Sequence, residues 1–145
     1  MSRVLCLDTS VIISYLVLDE DEPAADALVW EGIAGTARLV APAFFWAEVG
    51  SVLRKKLRRD LLTPEEAQGC YEDFCELPIN YLNEETIRLR AWEIAGEYGL
   101  PTLYDAAFLA CAEQETAQFW TADTVLLKQL SPRPIFVHQL DIQGK

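Results

Sequence analysis

The stretches RVLCLDTS (residues 3–10) and QFWTADT (118–124) decide the fold. Each is a short apolar run that ends in an aspartate and passes at once into a helix-compatible segment. Asp8 leads into TSVIISYLVL, and Asp123 into a short helix from Thr124 to Leu130. In open parallel sheets, ligands bind outside the carboxyl ends of the strands, where the winding reverses. Both acids are therefore expected on the ligand edge of such a sheet.

Working outward, strand and helix signals alternate. Further strands are expected at ARLVA (37–41), INYL (79–82) and PIFV (134–137). Helices are expected from Ala24 to Ile33 behind Pro23, from Ala43 to Leu57, and from Thr63-Pro64-Glu65-Glu66 to about Glu76. Asn83 is read as the cap of a helix from Glu84 to Tyr98, which Gly99 ends and Pro101 keeps from continuing. Tyr104 to Glu115 is apolar on three sides and should be a buried helix. The alternation argues for an α/β protein, a parallel sheet covered on both faces.

At 145 residues the chain fits a single domain, 1–145, and its 51% apolar content suffices for a core. The N-terminal run carries Asp8 at its centre, so it reads as a strand entering a helix and not as a signal peptide. No apolar run reaches membrane-spanning length. Cys6, Cys70, Cys75 and Cys111 form no CxxC pair and lie in apolar periodic segments. They are expected to be reduced, buried thiols of a cytoplasmic protein. Trp46, Trp92 and Trp120 are assigned to the core, Trp30 to a subunit contact, and His138 to no catalytic role.

Four carboxylates stand inside apolar runs: Asp8, Glu48 in FFWAEVGSVL, Asp105 in LYDAAFLACAE, and Asp123. Buried carboxylates need partners, and no interior Lys or Arg matches them. Asp8, Asp105 and Asp123 could cap helices, and Thr102-Leu103-Tyr104-Asp105 has the spacing of a capping box. Glu48 lacks that account, since it shares a helical face with Phe45, Val49 and Val52. Hard dications take oxygen ligands of this kind and promote phosphodiester hydrolysis. Without one, charges about 4 Å apart repel by about 4 kcal/mol at an effective dielectric near 20.

The net charge of −11 opposes long-range attraction to nucleic acid. Five of the 12 basic residues nevertheless lie at Arg54, Lys55, Lys56, Arg58 and Arg59. That cluster either contacts phosphate or is a solvated helix end where cations suit the dipole.

In order and spacing, LDTS, WAEVGSVLRK, YDAAFLACAE and TADTVLL resemble the PIN-domain ribonucleases, in particular the VapC-type toxins of prokaryotic toxin–antitoxin pairs. The resemblance implies a three-layer α/β/α fold with a parallel sheet of strand order 3-2-1-4-5. It implies an endoribonuclease dependent on Mg²⁺ or Mn²⁺, with Asp8, Glu48, Asp105 and Asp123 as metal-binding and catalytic acids. Thr121 and Ser10 match polar positions whose hydroxyls hold a metal-bound water. The resembled family often carries a more basic surface than this chain, in which Arg54, Lys55, Arg58 and Arg59 are the candidate RNA contacts. Implied partners are the RNA substrate, a small antitoxin protein and a second copy of the chain, with no membrane.

Other enzymes of similar layout fit poorly. A haloacid-dehalogenase phosphatase needs a second Asp where Ser10 stands, and a receiver domain needs an Asp after its third strand, where Leu82-Asn83 stands. A dinucleotide-binding domain needs a glycine-rich turn that LDTSVI lacks. The alternative of another class is a PIN fold that binds RNA or protein with little turnover.

Overall fold

The structure is a computed structural model that describes residues 3–141. Its elements run β1 (Arg3–Leu7), α1 (Thr9–Leu16), a short 3-10 turn (Leu18–Glu20), α2 (Pro23–Ala34), β2 (Ala37–Pro42) and α3 (Phe45–Arg58). They continue with α4 (Pro64–Cys75), β3 (Ile79–Leu82), α5 (Glu85–Tyr98), α6 (Tyr104–Gln114), β4 (Gln118–Thr121), α7 (Thr124–Gln129) and β5 (Val137–Gln139). All strand pairs are parallel, and the order is β3-β2-β1-β4-β5. This is the α/β architecture and strand order the sequence implied.

Consecutive residues Leu5, Cys6 and Leu7 are all buried. Successive strand side chains point to opposite faces, so the sheet is covered on both. The Cys6 thiol donates to the Phe108 carbonyl of α6 on one side. Leu7 borders a small void with Ile12 of α1 and Phe45 of α3 on the other. An edge-to-face chain of rings runs from Phe74 through Phe45 to Phe108, with centroids 5.6 and 5.2 Å apart. Full burial of such side chains stabilises by roughly 1.5–3 kcal/mol each. Gly32 lets α2 sit on β2, since a Cβ there would meet the Leu39 side chain at 2.5 Å.

Helix boundaries follow local chemistry. The Thr63 hydroxyl accepts from the Glu66 N–H while Glu66 accepts from the Thr63 N–H, a complete capping box with Pro64 in the first turn. Gly99 ends α5 at φ +64°.

Several expectations are corrected. The last strand is Val137–Gln139 and not 134–137, because Pro134 has no N–H for the ladder and its carbonyl instead closes a turn onto the Val137 N–H. Glu84, not Asn83, holds the N-cap position of α5, without a side-chain cap bond. Asn83 instead offers its carbonyl to Arg88. Trp46 and Trp92 are not core: they are 52% and 71% exposed. Their apolar sequence neighbours fill other faces of the same helices. Trp120 is half-buried and stacks on His138 at 4.9 Å. The cysteines are all free, as expected, but Cys75 is exposed and Cys70 only half-buried. Trp30 is exposed, as a contact residue would be. Among the described residues no helix is long and apolar enough to cross a membrane.

Candidate functional site

The winding reverses between β1 and β4, the adjacent strands whose carboxyl ends deliver Asp8 and Thr121. Asp8 is 5% exposed. Its side chain caps α1 by accepting from the Val11 N–H at 3.3 Å. The same oxygen accepts from the Ser10 hydroxyl at 2.5 Å, and the other oxygen accepts from the Thr121 hydroxyl. Those hydroxyls in turn accept backbone N–H groups of the β4–α7 turn: Ser10 from Ala122 and Thr121 from Asp123, each at 3.0 Å. Ser10 and Thr121 thus spend their protons on Asp8, and their role here is to orient that carboxylate. Burial nonetheless lifts Asp8 to about 6, against these hydrogen bonds and with a small further push from Asp105.

Asp123 caps α7 by accepting from the N–H groups of Val125 and Leu126 at 3.0 and 3.1 Å. The helix expected from Ala43 begins at Phe45, so Glu48 lies in the first turn of α3, where it accepts from the Thr9 hydroxyl. The residue that the sequence left without an account therefore has one. Asp105 is the reverse case. Thr102 forms no capping box, because the N-cap position of α6 falls on Leu103 and carries no side-chain bond. Asp105 makes no hydrogen bond or ion pair among the described residues, and it is half-buried. Burial raises its pKa to about 6, reinforced by the charges of Asp123 and then Glu48.

All four acids stand at helix N-termini: two as caps, two in first turns. Each terminus carries partial positive charge worth about 0.3–1 kcal/mol to a nearby anion. That convergence, together with the hydroxyls of Thr9, Ser10 and Thr121, accommodates the carboxylates without Lys or Arg. The acids lie within electrostatic reach of one another. As placed, however, no group of three or more His, Cys, Asp or Glu among the described residues stands close enough to hold a metal ion. The donor chemistry fits a hard dication, since all four are carboxylates and Asp105 has no competing partner among the described residues.

The structure sorts the basic residues. Arg54, Lys55, Arg58 and Arg59 are exposed at the far end of α3 from Glu48. Lys56 is half-buried and pairs with Glu20 instead. Sequence reasoning missed Thr9, whose hydroxyl holds Glu48, and Phe44, whose ring touches both Tyr104 and Phe108. The run DTS gave a signal for the first, three polar residues at a strand end. Nothing in FFW distinguished the second.

The family described as PIN domain matches residues 5–130 of the chain. Among solved structures, the chain is similar to a toxin–antitoxin complex from Klebsiella pneumoniae, with 20% identity, TM-score 0.62, and 92% of this chain and 95% of that one covered. It is also similar to VapBC2 from Rickettsia felis bound to a DNA fragment from its promoter, with 14% identity, TM-score 0.68, and coverage of 95% and 99%. PAE2754 from Pyrobaculum aerophilum matches with 19% identity, TM-score 0.67, and coverage of 96% and 92%. At these identities the likeness is one of fold. No curated protein matches the chain.

Proposed function

The chain belongs to the PIN domain family, whose members are generally nucleases, and on that premise we propose that it is a divalent-metal-dependent endoribonuclease acting as the toxin of a toxin–antitoxin pair. One observation carries the reading. Asp105 is a half-buried carboxylate with no hydrogen-bond or ion-pair partner among the described residues, set among three other acids at the point where the sheet's winding reverses. The α6 N-terminus favours its charge, but no side chain among the described residues pairs with it.

In this reading Asp8, Glu48, Asp105 and Asp123 hold Mg²⁺ or Mn²⁺. The ion supplies a lowered water pKa and a counter-charge to the phosphate. Ser10 and Thr121 fix the direction of the Asp8 carboxylate, and Thr9 does the same for Glu48. Arg54, Lys55, Arg58 and Arg59 offer phosphate contacts without carboxylate partners among the described residues. We further propose one domain over 1–145, a homodimer in the cytoplasm and a small antitoxin as partner. The toxin–antitoxin complexes among the similar folds support that last assignment.

The test is RNA cleavage by purified protein with Mg²⁺ or Mn²⁺, abolished by chelator. Cleavage indifferent to chelator contradicts the chemistry. A second reading, a PIN fold that binds without turnover, is favoured by the carboxylates being tied to hydroxyls and not gathered as ligands. Absence of cleavage under every divalent ion, with RNA or protein binding retained, would select it.

A further inference from the structure

An apolar cavity of about 470 Å³ lies between the β2–α3 turn, the start of α5 and the start of α6, and none of the four acids lines it. Phe44, Leu82, Ile87, Ala91 and Tyr104 are among its walls. The chain itself ties it to the carboxylates. Tyr104 immediately precedes Asp105, and Phe44 holds the N-cap position of the helix whose first turn carries Glu48. The Phe44 and Tyr104 rings meet edge to face at 5.3 Å, yet Tyr104 remains 57% exposed. Charge enters the lining only at Arg88, whose guanidinium donates to the Asn83 carbonyl at 2.6 Å. Arg90, two residues on, pairs with Glu93, Glu97 and Glu113. Arg88 pairs with no carboxylate among the described residues.

We propose that this cavity receives a nucleobase of the substrate strand, the one next to the scissile phosphate, with Arg88 facing the strand's backbone. The inference deepens the reading of the chain as a ribonuclease and rests on it. A base presents apolar faces and a polar edge, which suits apolar walls that include the Phe44 and Tyr104 rings, with Asn83 and Arg88 also in the lining. Base–aromatic stacking binds single strands without relying on net charge, which matters in a protein of net charge −11. An unpaired guanidinium suits a phosphate. Position also separates this cavity from the basic cluster on α3. Arg54 and Arg58 lie six and ten residues beyond Glu48, about 9 and 15 Å along the helix axis, whereas Tyr104 is the chain neighbour of Asp105.

The experiment compares the parent, Tyr104→Ala and Tyr104→Phe in Mn²⁺-dependent cleavage of a random-sequence RNA. Cut sites are mapped, KM is measured, and sedimentation is recorded on the same samples. The parent should show a base preference beside the cut. Tyr104→Ala should flatten that preference and raise KM about tenfold, the scale of one stacked base. Tyr104→Phe, which keeps the ring, should retain both. An unchanged base preference in Tyr104→Ala overturns the subsite while leaving the ribonuclease reading intact. If Tyr104→Ala instead dissociates a dimer and leaves the preference untouched, the face belongs to a second copy and the proposal falls. A parent that cleaves no RNA removes the functional reading and the subsite together.

Discussion

Asp8 is held by three donors and still carries a raised pKa, because burial outweighs the hydrogen bonds it accepts. The sign of its effect on stability follows. Its folded-state pKa is about 6 and its ordinary value 3.8, so between about pH 4 and 6 the folded state binds more protons than the unfolded one. Stability from this group is present below that window and is lost as pH rises through it, by on the order of 2–3 kcal/mol. Urea melts in chelator should show that fall, and Asp8→Asn should remove this part of it. Asn caps about as well as Asp, so at pH 7 the variant should melt at the same or a higher temperature while losing cleavage. Full activity in Asp8→Asn would sink the assignment of that acid. Thr121 tests the support around it. Thr121→Val keeps the buried shape but removes both the donor to Asp8 and the acceptor for the Asp123 N–H. It should cost about 1–3 kcal/mol and push the Asp8 pKa higher still, read by the pH dependence of its melts. At this scale the four acids were legible in the sequence by residue type and setting. Which of them lacked a structural partner was not. That depended on helix starts: α3 begins two residues later than expected, which moves Glu48 into its first turn, and the N-cap position of α6 falls on Leu103 and not on Thr102.

Helix N-termini do most to place the acids, and their start signals were partly readable. The pairing of strand end with Asp at β1–α1 and β4–α7 set two of the four positions directly. The capping box at Thr63 was equally plain. Failures came where one element's signal depended on another element. PIFV has strand composition, but Pro134 delays pairing until Val137 meets Phe119. The exposure of Trp46 and Trp92 reflects helix phase against the sheet, which apolar sequence neighbours do not report. The last turn of α3 poses its own question. Its exposed cations suit the helix dipole whatever they bind. Replacing Arg54 and Arg58 by Gln should weaken RNA affinity and flatten its salt dependence, since fewer counterions are released. An unchanged salt slope in filter-binding titrations would make the cluster a solvated helix end.

For the whole molecule, alternating strand and helix signals point to a parallel sheet covered on both faces with Asp8 and Asp123 on its ligand edge, while the strand order was implied by the resemblance to PIN-domain ribonucleases. Net charge then sets the terms of recognition. A chain at −11 repels RNA at long range, so binding depends on short-range contacts and on neutralising the acidic edge. The exposed Trp30 and Trp92 are consistent with the proposed self-association. Light scattering at micromolar concentration should report a dimer, and a monomer there would contradict it. The central claim is that the acidic edge exists for a metal ion and not for the fold, and Asp105 is where the two separate. The deciding measurement is thermal melting of the parent and Asp105→Asn, with chelator and with Mn²⁺, alongside RNA cleavage by the same samples. The account predicts that in chelator Asp105→Asn melts no lower than the parent, having lost a carboxylate that Asp123 and Glu48 repel. It also predicts that Mn²⁺ raises the parent's melting temperature more than the variant's by ligand linkage, and that only the parent cleaves. Equal cleavage by both proteins, or an equal response to Mn²⁺, would contradict it.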